Sequence, residues 1–384
     1  MNIIPYGRHN ITQEDIEAVI DVLKSNNLTQ GPKITEFEKA FADYIGCKYA
    51  VAVANGTAAL HLCTMALKVE PGQKVITTPI TFCATANCVR YCGGEVVFSD
   101  IDPQTMLLDI NKVRELLEAN HKGSYAGIIP VDFSGRAVNL DSFRKLADEY
   151  GMWIIEDASH APGGYFIDCK GEQQNCGNGQ YAELAIFSFH PVKHIAAGEG
   201  GMITTNNKDL YEKIKNLRTH GIQQNPALKH FNHGIWYYEM QELGYNYRFT
   251  DIASALANSQ LKRAKAGLKR RKEIAEKYKN AFEGKSWLKG QSGNVDGHAY
   301  HLYVIEIEDR DGLILFMHSK NIFSQVHYIP VHLMPYYRRF GWKEGDFPIA
   351  EKFYKNCLSI PMYPTLTNEE QTYVIDTIFS FYGS

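Results

Sequence analysis

The sequence predicts an α/β fold: a mixed, mostly parallel sheet in a large domain, residues 1–250, followed by a smaller α+β domain, residues 251–384. Two observations carry this expectation. Short apolar runs alternate with helical patterns through the first 250 residues, and strands that are apolar at nearly every position need helices on both faces of their sheet. After Thr250, a good helix N-cap, a long helical pattern runs toward Phe282 and could link two lobes. Strand-like stretches (Leu302 to Ile307, Phe323 to Tyr328) then mix with helical ones (346–357, 368–381).

Taken in order, helical patterns occupy 13–25 and 33–45, the second opening after Gly31-Pro32. Ala50-Val51-Ala52-Val53 reads as a strand that passes through Asn55-Gly56-Thr57 into another helix. Further strands are expected at 74–77, 95–98, 126–130, 152–155 and 184–187, with helices at 83–92, 109–119 and 138–150. The stretch 289–297 reads as a surface loop. A second loop at 169–180, rich in Gly, Gln and Asn, is expected to cover the site.

Composition sets bounds on function. With 45% hydrophobic residues, 22% charged residues and a formal net charge of −3, the chain reads as an ordinary soluble globular protein. No nucleic-acid partner is indicated. The basic run from Lys262 to Lys272 carries Leu261, Ala264 and Leu268 at helical spacing, so it reads as the wet face of an amphipathic helix. No apolar stretch is long enough to cross a bilayer. Met1 to Tyr6 lacks the basic start and apolar core of a signal peptide. The eight cysteines are scattered. Cys83, Cys88 and Cys92 lie close together but lack a fourth ligand at zinc-like spacing, so reduced thiols in the cytoplasm are expected, and no metal.

Four local patterns point to one chemistry. Asn55-Gly56-Thr57-Ala58 sits where a strand becomes a helix, and free amides at a helix N-terminus bind phosphate. Phe82, at the end of a strand, could stack on a flat heteroaromatic ring. Trp153 to Asp157 is an apolar strand that delivers an acid to its carboxyl end, the edge where ligands of such sheets bind. There Asp157 would keep a pyridine nitrogen charged, and His160 could hydrogen-bond Asp157 or a cofactor oxygen. Finally, Lys193 lies between the apolar Phe187-Ser188-Phe189 and the turn Gly198-Glu199-Gly200-Gly201. A buried lysine loses its proton readily and becomes a nucleophile able to form a Schiff base. Ser188 is placed for a phosphate oxygen. Each pattern alone is weak; together, in this order, they are a strong signal.

With these residues in view, the chain resembles the sugar-nucleotide aminotransferases of the DegT/DnrJ/EryC1/StrS family, almost from end to end. The likeness is carried by Leu28-Thr29-Gln30-Gly31-Pro32, Asn55 to Leu60, Glu156-Asp157-Ala158-Ser159-His160-Ala161, Phe187 to Lys193, and Leu243-Gly244-Tyr245-Asn246-Tyr247-Arg248. It implies the fold-type I architecture of aspartate aminotransferase and pyridoxal 5′-phosphate as cofactor, cycling through pyridoxamine 5′-phosphate. Lys193 would carry the Schiff base, Asp157 would face the pyridine nitrogen and Phe82 would stack on the ring. The amides of Thr57 and Ala58, with Gly56 and Ser188, would hold the phosphate. Asn246 would reach the cofactor of the neighbouring subunit, which implies a homodimer with shared sites.

Gln325-Val326-His327-Tyr328, with the residues that follow, resembles the flagellin-modifying branch of that family. The likeness implies transfer of an amino group from L-glutamate to C4 of a UDP-linked 4-keto-6-deoxy-N-acetylhexosamine, for pseudaminic acid-type glycans. Tyr6, Leu28, Thr29, Gln30, Gly31, Arg248, Gln325, Val326, His327 and Tyr328 would then line the sugar-nucleotide pocket. Ala196-Ala197 departs from the pattern, where hydroxyl residues are expected, and 171–179 resembles an insert. Other UDP- or dTDP-linked keto sugars are the alternative substrates. A sugar dehydratase on the same scaffold would have histidine in place of Lys193. A non-catalytic cofactor-binding regulator is the rival from another class.

Overall fold

The computed structural model describes residues 3–223, 229–231, 233–290 and 296–383. Strands β1 (Tyr49–Val53), β2 (Lys74–Thr77), β3 (Glu95–Phe98), β4 (Gly127–Ile129) and β5 (Trp153–Asp157) come first. A hairpin follows, β6 (Tyr165–Ile167) with β7 (Gln173–Asn175), then β8 (Leu184–Ser188) and β9 (Gly201–Thr205). The seven-stranded sheet has the order β1-β9-β8-β5-β4-β2-β3. Only β9 runs against its neighbours, pairing antiparallel with both β1 and β8. This is the mixed, mostly parallel α/β sheet that the sequence predicts. The strands at its centre are buried along almost their whole length, which requires apolar residues on both faces.

Helices α1 (Gln13–Leu23), α2 (Pro32–Ile45), α3 (Gly56–Ala66), α4 (Ala84–Tyr91), α5 (Ile110–Glu118), α6 (Leu140–Tyr150) and α7 (Lys208–Arg218) accompany the sheet. Their ends follow from local chemistry. Pro32 opens α2 at its first turn and Gly46, at φ 87°, closes it, because glycine alone adopts that left-handed cap without strain. Asn139 caps α6 by accepting from the Ser142 amide.

Past residue 250 the structure differs from the expected single long helix. Thr250 does cap a helix, accepting from the Ala253 amide. But α8 (Asp251–Lys262) stops at Arg263, whose amide makes a tighter bond to the Gln260 carbonyl at 3.0 Å, and α9 (Ala264–Phe282) starts afresh. The three-stranded antiparallel sheet β12 (Leu288–Gly290), β13 (Tyr303–Ile307) and β14 (Cys357–Ile360) then follows, after a short pairing of β10 (Ile222–Gln223) with β11 (Glu239–Met240). Helices α10 (Arg310–Ser319), α11 (Pro335–Arg338), α12 (Pro348–Asn356) and α13 (Asn368–Tyr382) complete the chain. One hydrophobic core lies around the large sheet. Another joins α9, β13, β14, α10 and α13 and takes in Ile4 from the N-terminal segment. Among the described residues no helix is long and apolar enough to cross a membrane.

Three other expectations are corrected. Phe323 to Tyr328 forms no strand: it makes isolated bridges, Ile322 with Ile4 before it and Gln325 with Ser359 within it, because the segment leaves the small sheet to reach the cavity described below. The loop at 169–180 lines no part of that cavity. It is folded into the β6–β7 hairpin and drawn down by Asp168, which gathers the Lys170 and Glu172 amides at 2.9 Å and the Gln174 and Tyr181 side chains at 2.8 Å. Strand β9 is absent from the sequence reading because its glycine-rich approach reads as a turn. The predicted loop 289–297 begins inside β12, and its residues 291–295 lie outside the described residues.

Asp15 ties α1 to α8. Its carboxylate accepts from Arg263 at 2.7 and 3.0 Å, from Gln260 at 2.7 Å and from the Thr12 amide at 2.9 Å. Burial alone would push this carboxyl up, but the Arg263 guanidinium, Ser259 and the Thr12 amide outweigh it and hold it down at about 2. A depressed carboxyl stabilises the fold above its ordinary value and loses that contribution as pH falls through the folded value. Asp15→Asn therefore destabilises the chain by ~3 kcal/mol near neutral pH, and in urea titrations its deficit against wild type shrinks as pH falls from 3.8 toward 2.

Candidate active site

A cavity of about 990 Å³ opens where the carboxyl ends of β1, β2, β4, β5 and β8 meet. Gly56 and Thr57 reach it after β1, Phe82 after β2, Asp157 and Ser188 at the ends of β5 and β8, and Lys193 from the turn that follows. Three polypeptide segments converge at its floor, and glycine permits it. A Cβ on Gly201 of β9 would lie 2.5 Å from the Asn55 carbonyl oxygen, and one on Gly56 would lie 3.1 Å from the Ser188 Cβ. The aromatic rings of Phe37, Phe41, Phe187 and Phe189 pack edge to face behind β8 and fix the strand from which Lys193 departs.

At the start of α3 the Asn55 side chain accepts from the Ala58 amide at 2.8 Å. The expectation that Ala58 offers its amide to a phosphate is corrected accordingly. Among the described residues it is the Gly56 and Thr57 amides that have no partner, and they stand beside the Ser188 hydroxyl at the positive end of a helix. Phe82 is 60% exposed. That rules out a core role and leaves a bare aromatic face on the cavity wall.

Lys193 keeps some exposed surface because it lines the cavity, but protein surrounds its amine. Burial pulls the amine down to about 7, Arg271 pushes in the same direction, and Asp157 opposes both. Its Nζ lies 3.3 Å from His301 Nε2. Asp157 accepts from the Thr85 hydroxyl at 2.7 Å and the Ser159 amide at 3.2 Å. Glu156, the other member of the acidic pair, points to the opposite face of the strand. There it accepts from the Gly177 amide and meets Asp132 and Cys176. Burial raises all three groups, so this cluster holds protons.

His160 lines the cavity but bonds neither Asp157 nor anything free. Its Nδ1 accepts from the Ser134 amide and its Nε2 meets the Tyr328 hydroxyl, both at 3.2 Å. A backbone amide can only donate, so Nδ1 carries the lone pair and Nε2–H donates to the Tyr328 oxygen. The Tyr328 proton is left to point at a ligand. Burial keeps His160 neutral and Tyr328 protonated.

The other expected residues divide. Tyr6, His327 and Tyr328 line the cavity; Gln325 and Val326 do not, the former being held to Ser359 through its backbone. Leu28, Thr29, Gln30, Gly31 and Arg248 also lie outside it. Thr29 bridges to Thr250, the Gly31 amide is taken by Asp251 at 2.7 Å, and Gln30 and Arg248 border a separate shallow cleft with Lys229 and Trp236. Asn246 is exposed and outside this chain's cavity, whereas its neighbours Tyr245 and Tyr247 line it beside His61. Alternation along an extended segment explains this, and it was readable from the spacing. Thr85, Ser134 and His301 had no local signal, since each acts by contact with a residue distant in the chain, and the reading of 262–272 as a wet helix face is corrected at Arg271, which is buried on backbone carbonyl oxygens.

The donor set fits the cofactor that the sequence resemblance implies. Free helix amides and a hydroxyl suit a phosphate, a bare aromatic face suits a flat ring, and a buried carboxylate and an amine that gives up its proton near neutral pH suit its nitrogen and its aldehyde.

The DegT/DnrJ/EryC1/StrS aminotransferase family matches residues 9–379. The UDP-4-amino-4,6-dideoxy-N-acetyl-beta-L-altrosamine transaminase of Campylobacter jejuni is 38% identical over 384 residues, covering 98% of this chain and 97% of that one. Among solved structures, Helicobacter pylori PseC, an aminotransferase involved in the biosynthesis of pseudoaminic acid, superposes with a TM-score of 0.89 at 29% identity over all of both chains. The PLP-form of Streptococcus pneumoniae Spr1654 superposes with a TM-score of 0.88 at 27% identity over 98% of each. The chain belongs to the DegT/DnrJ/EryC1/StrS aminotransferase family and is an aminotransferase.

Proposed function

We propose that the chain is a cytoplasmic, pyridoxal phosphate-dependent sugar-nucleotide aminotransferase. It carries an amino group from L-glutamate to C4 of a UDP-linked 4-keto-6-deoxy-N-acetylhexosamine, giving a UDP-4-amino-4,6-dideoxy sugar for pseudaminic acid-type glycans. The observation that carries this reading is the buried amine of Lys193, drawn down to about 7 by burial and facing the same cavity as the Asp157 carboxylate. The substrate rests on likeness to the Campylobacter transaminase and to PseC.

When bound, the cofactor supplies an aldehyde to take up the amino group and a protonated ring to accept electrons. The chain does the rest. Asp157, fixed by Thr85 and Ser159, holds a proton on the ring nitrogen. The Gly56 and Thr57 amides with Ser188 bind the phosphate, and Phe82 orients the ring. Lys193 Nζ takes a proton from the α-carbon of glutamate and later returns one to C4 of the sugar, so one group serves as base and acid. Tyr328, with His160 behind it, offers a hydroxyl proton to the sugar.

The working unit in this reading is a homodimer. Leu28 to Gly31, Arg248 and Asn246 of one protomer complete the site of its partner, which accounts for their place outside their own cavity. The exposed Trp236 and Leu243 nearby suit burial against a second copy.

Three outcomes test the reading. Lys193→Ala abolishes turnover with glutamate while cofactor still binds; transamination by that variant would contradict its role. Asn246→Ala and Lys193→Ala, each inactive alone, regain activity when mixed, because a hybrid dimer has one site with neither defect; no recovery would mean that Asn246 serves its own chain. In a panel of keto-sugar nucleotides the UDP-linked 4-keto-6-deoxy-N-acetylhexosamine gives the highest kcat/KM, and a strong preference for dTDP sugars would reject the substrate while leaving the family intact.

A further inference from the structure

Around the Lys193 amine stand two groups that the mechanism above does not use: His301, which touches it, and Arg271, whose charge acts on it. Arg271, on α9, is 2% exposed, and among the described residues no carboxylate lies within ion-pair distance of it. Its Nη1 donates to three carbonyl oxygens: Tyr300 at 3.1 Å, His301 at 3.2 Å and Met362 at 2.9 Å. Two of these are the carbonyls of the peptide bonds on either side of His301. The His301 imidazole in turn lies 4.4 Å from the His160 ring and reaches Lys193 Nζ with Nε2, while its Nδ1 has no partner among the described residues.

We propose that His301 is a positioning residue that holds the Lys193 amine whenever that amine is free, and that Arg271 holds His301. The inference rests on Lys193 being the reacting amine. The lysine is free while protons move in both half-reactions: it gives up its place to the amine of glutamate in the first, takes it back from the product amine at the end of the second, and in between must move protons from a defined position. A free lysine side chain carries about 2 kcal/mol of rotamer freedom, and a misplacement of ~1 Å can cost on the order of a hundredfold in rate. An imidazole suits the task because it can accept from an ammonium group or, in its other tautomer, donate to the lone pair of a neutral amine.

The groups around the amine make this more than a packing contact. Asp157 from β5, His160 from the segment after β5 and His327 from the C-terminal segment line the same cavity as the amine, His194 follows it in the chain, and Arg271 acts on it from α9 through its charge. Burial keeps all four histidines, His301 included, neutral. The charges beside the amine are then Asp157, which favours its protonated form, and Arg271, which opposes it. Arg271 thus both orients the hydrogen-bond partner of the amine and favours its unprotonated form.

Two measurements test this. In the full-length chain freed of cofactor, acetylation of Lys193 by acetic anhydride, read by peptide mass spectrometry as a function of pH, reports the amine alone. Wild type is half-reactive near pH 7, and Arg271→Met raises that midpoint by on the order of one pH unit. In the holoenzyme, His301→Leu lowers kcat of the keto-sugar half-reaction by ~10- to 100-fold with KM little changed, and His301→Gln, which can both accept and donate, restores most of it. An unmoved midpoint in Arg271→Met, a wild-type kcat in His301→Leu, or no rescue by glutamine would overturn the proposal. If Arg271→Met does not fold, Arg271→Lys keeps the charge but loses the fork, and is expected to keep the midpoint while slowing the half-reaction. Attachment of the cofactor to some other lysine would defeat the functional reading, whereas the acetylation midpoint of the cofactor-free chain would stand.

Discussion

The structure is organised around keeping one amine out of water. A lysine ordinarily carries its proton far into the alkaline range, and removing it from solvent makes that charge costly. Here burial does most of the work and brings the Lys193 amine to about 7. The residues around it preserve that state. Arg271 satisfies itself on three carbonyl oxygens instead of an acid, and the surrounding histidines carry no charge that would need a counter-ion. Asp157 faces the same cavity as the amine and favours its protonated form, and it is held by Thr85 and Ser159, which in the proposed function would aim it at the nitrogen of the cofactor ring.

This arrangement depends on close approach of backbones. The sheet places the ends of β1, β5 and β8 side by side, and glycine at 56 and 201 lets the start of α3 settle against β8 and β9. The same contact brings the free amides of Gly56 and Thr57 to the Ser188 hydroxyl. Behind them the Phe37, Phe41, Phe187 and Phe189 cluster makes the platform rigid, so the turn carrying Lys193 starts from a fixed point. Packing, anion binding and amine placement are therefore one feature, since a side chain at Gly201 would push apart the segments that supply all three.

Much of this was legible in the sequence because it is local. Apolar runs of four or five residues gave β1, β2, β3, β5 and β8 nearly to the residue, and the segment Asn55 to Ala58 announced a strand entering a helix. Asp157 and Ser188 stand at the ends of such strands and Phe82 and Lys193 in the turns just beyond them, so their convergence followed from the parallel order. What escaped was contact between distant residues. His301 and Arg271 lie 108 and 78 residues beyond Lys193 (301 − 193 and 271 − 193); His301 has no motif around it, and Arg271 belongs to a basic run that reads as a solvated helix face, so nothing local says that either will meet it. The helix break at Arg263 was hidden for the same reason, since it comes with the reach of that side chain to Asp15. Leu28 to Gly31 and Arg248 were assigned to the pocket by resemblance, which does not say which protomer's pocket they serve.

The central claim is a covalent one: the ε-nitrogen at position 193 is the atom that joins the chain to its cofactor. Borohydride reduction of the holoenzyme, followed by proteolysis and mass spectrometry of the peptides, tests it most directly. The account predicts one stoichiometric pyridoxyl label, on Lys193, and loss of that label when glutamate is added before the reductant. A label on another lysine, or none in protein that retains cofactor, would contradict it.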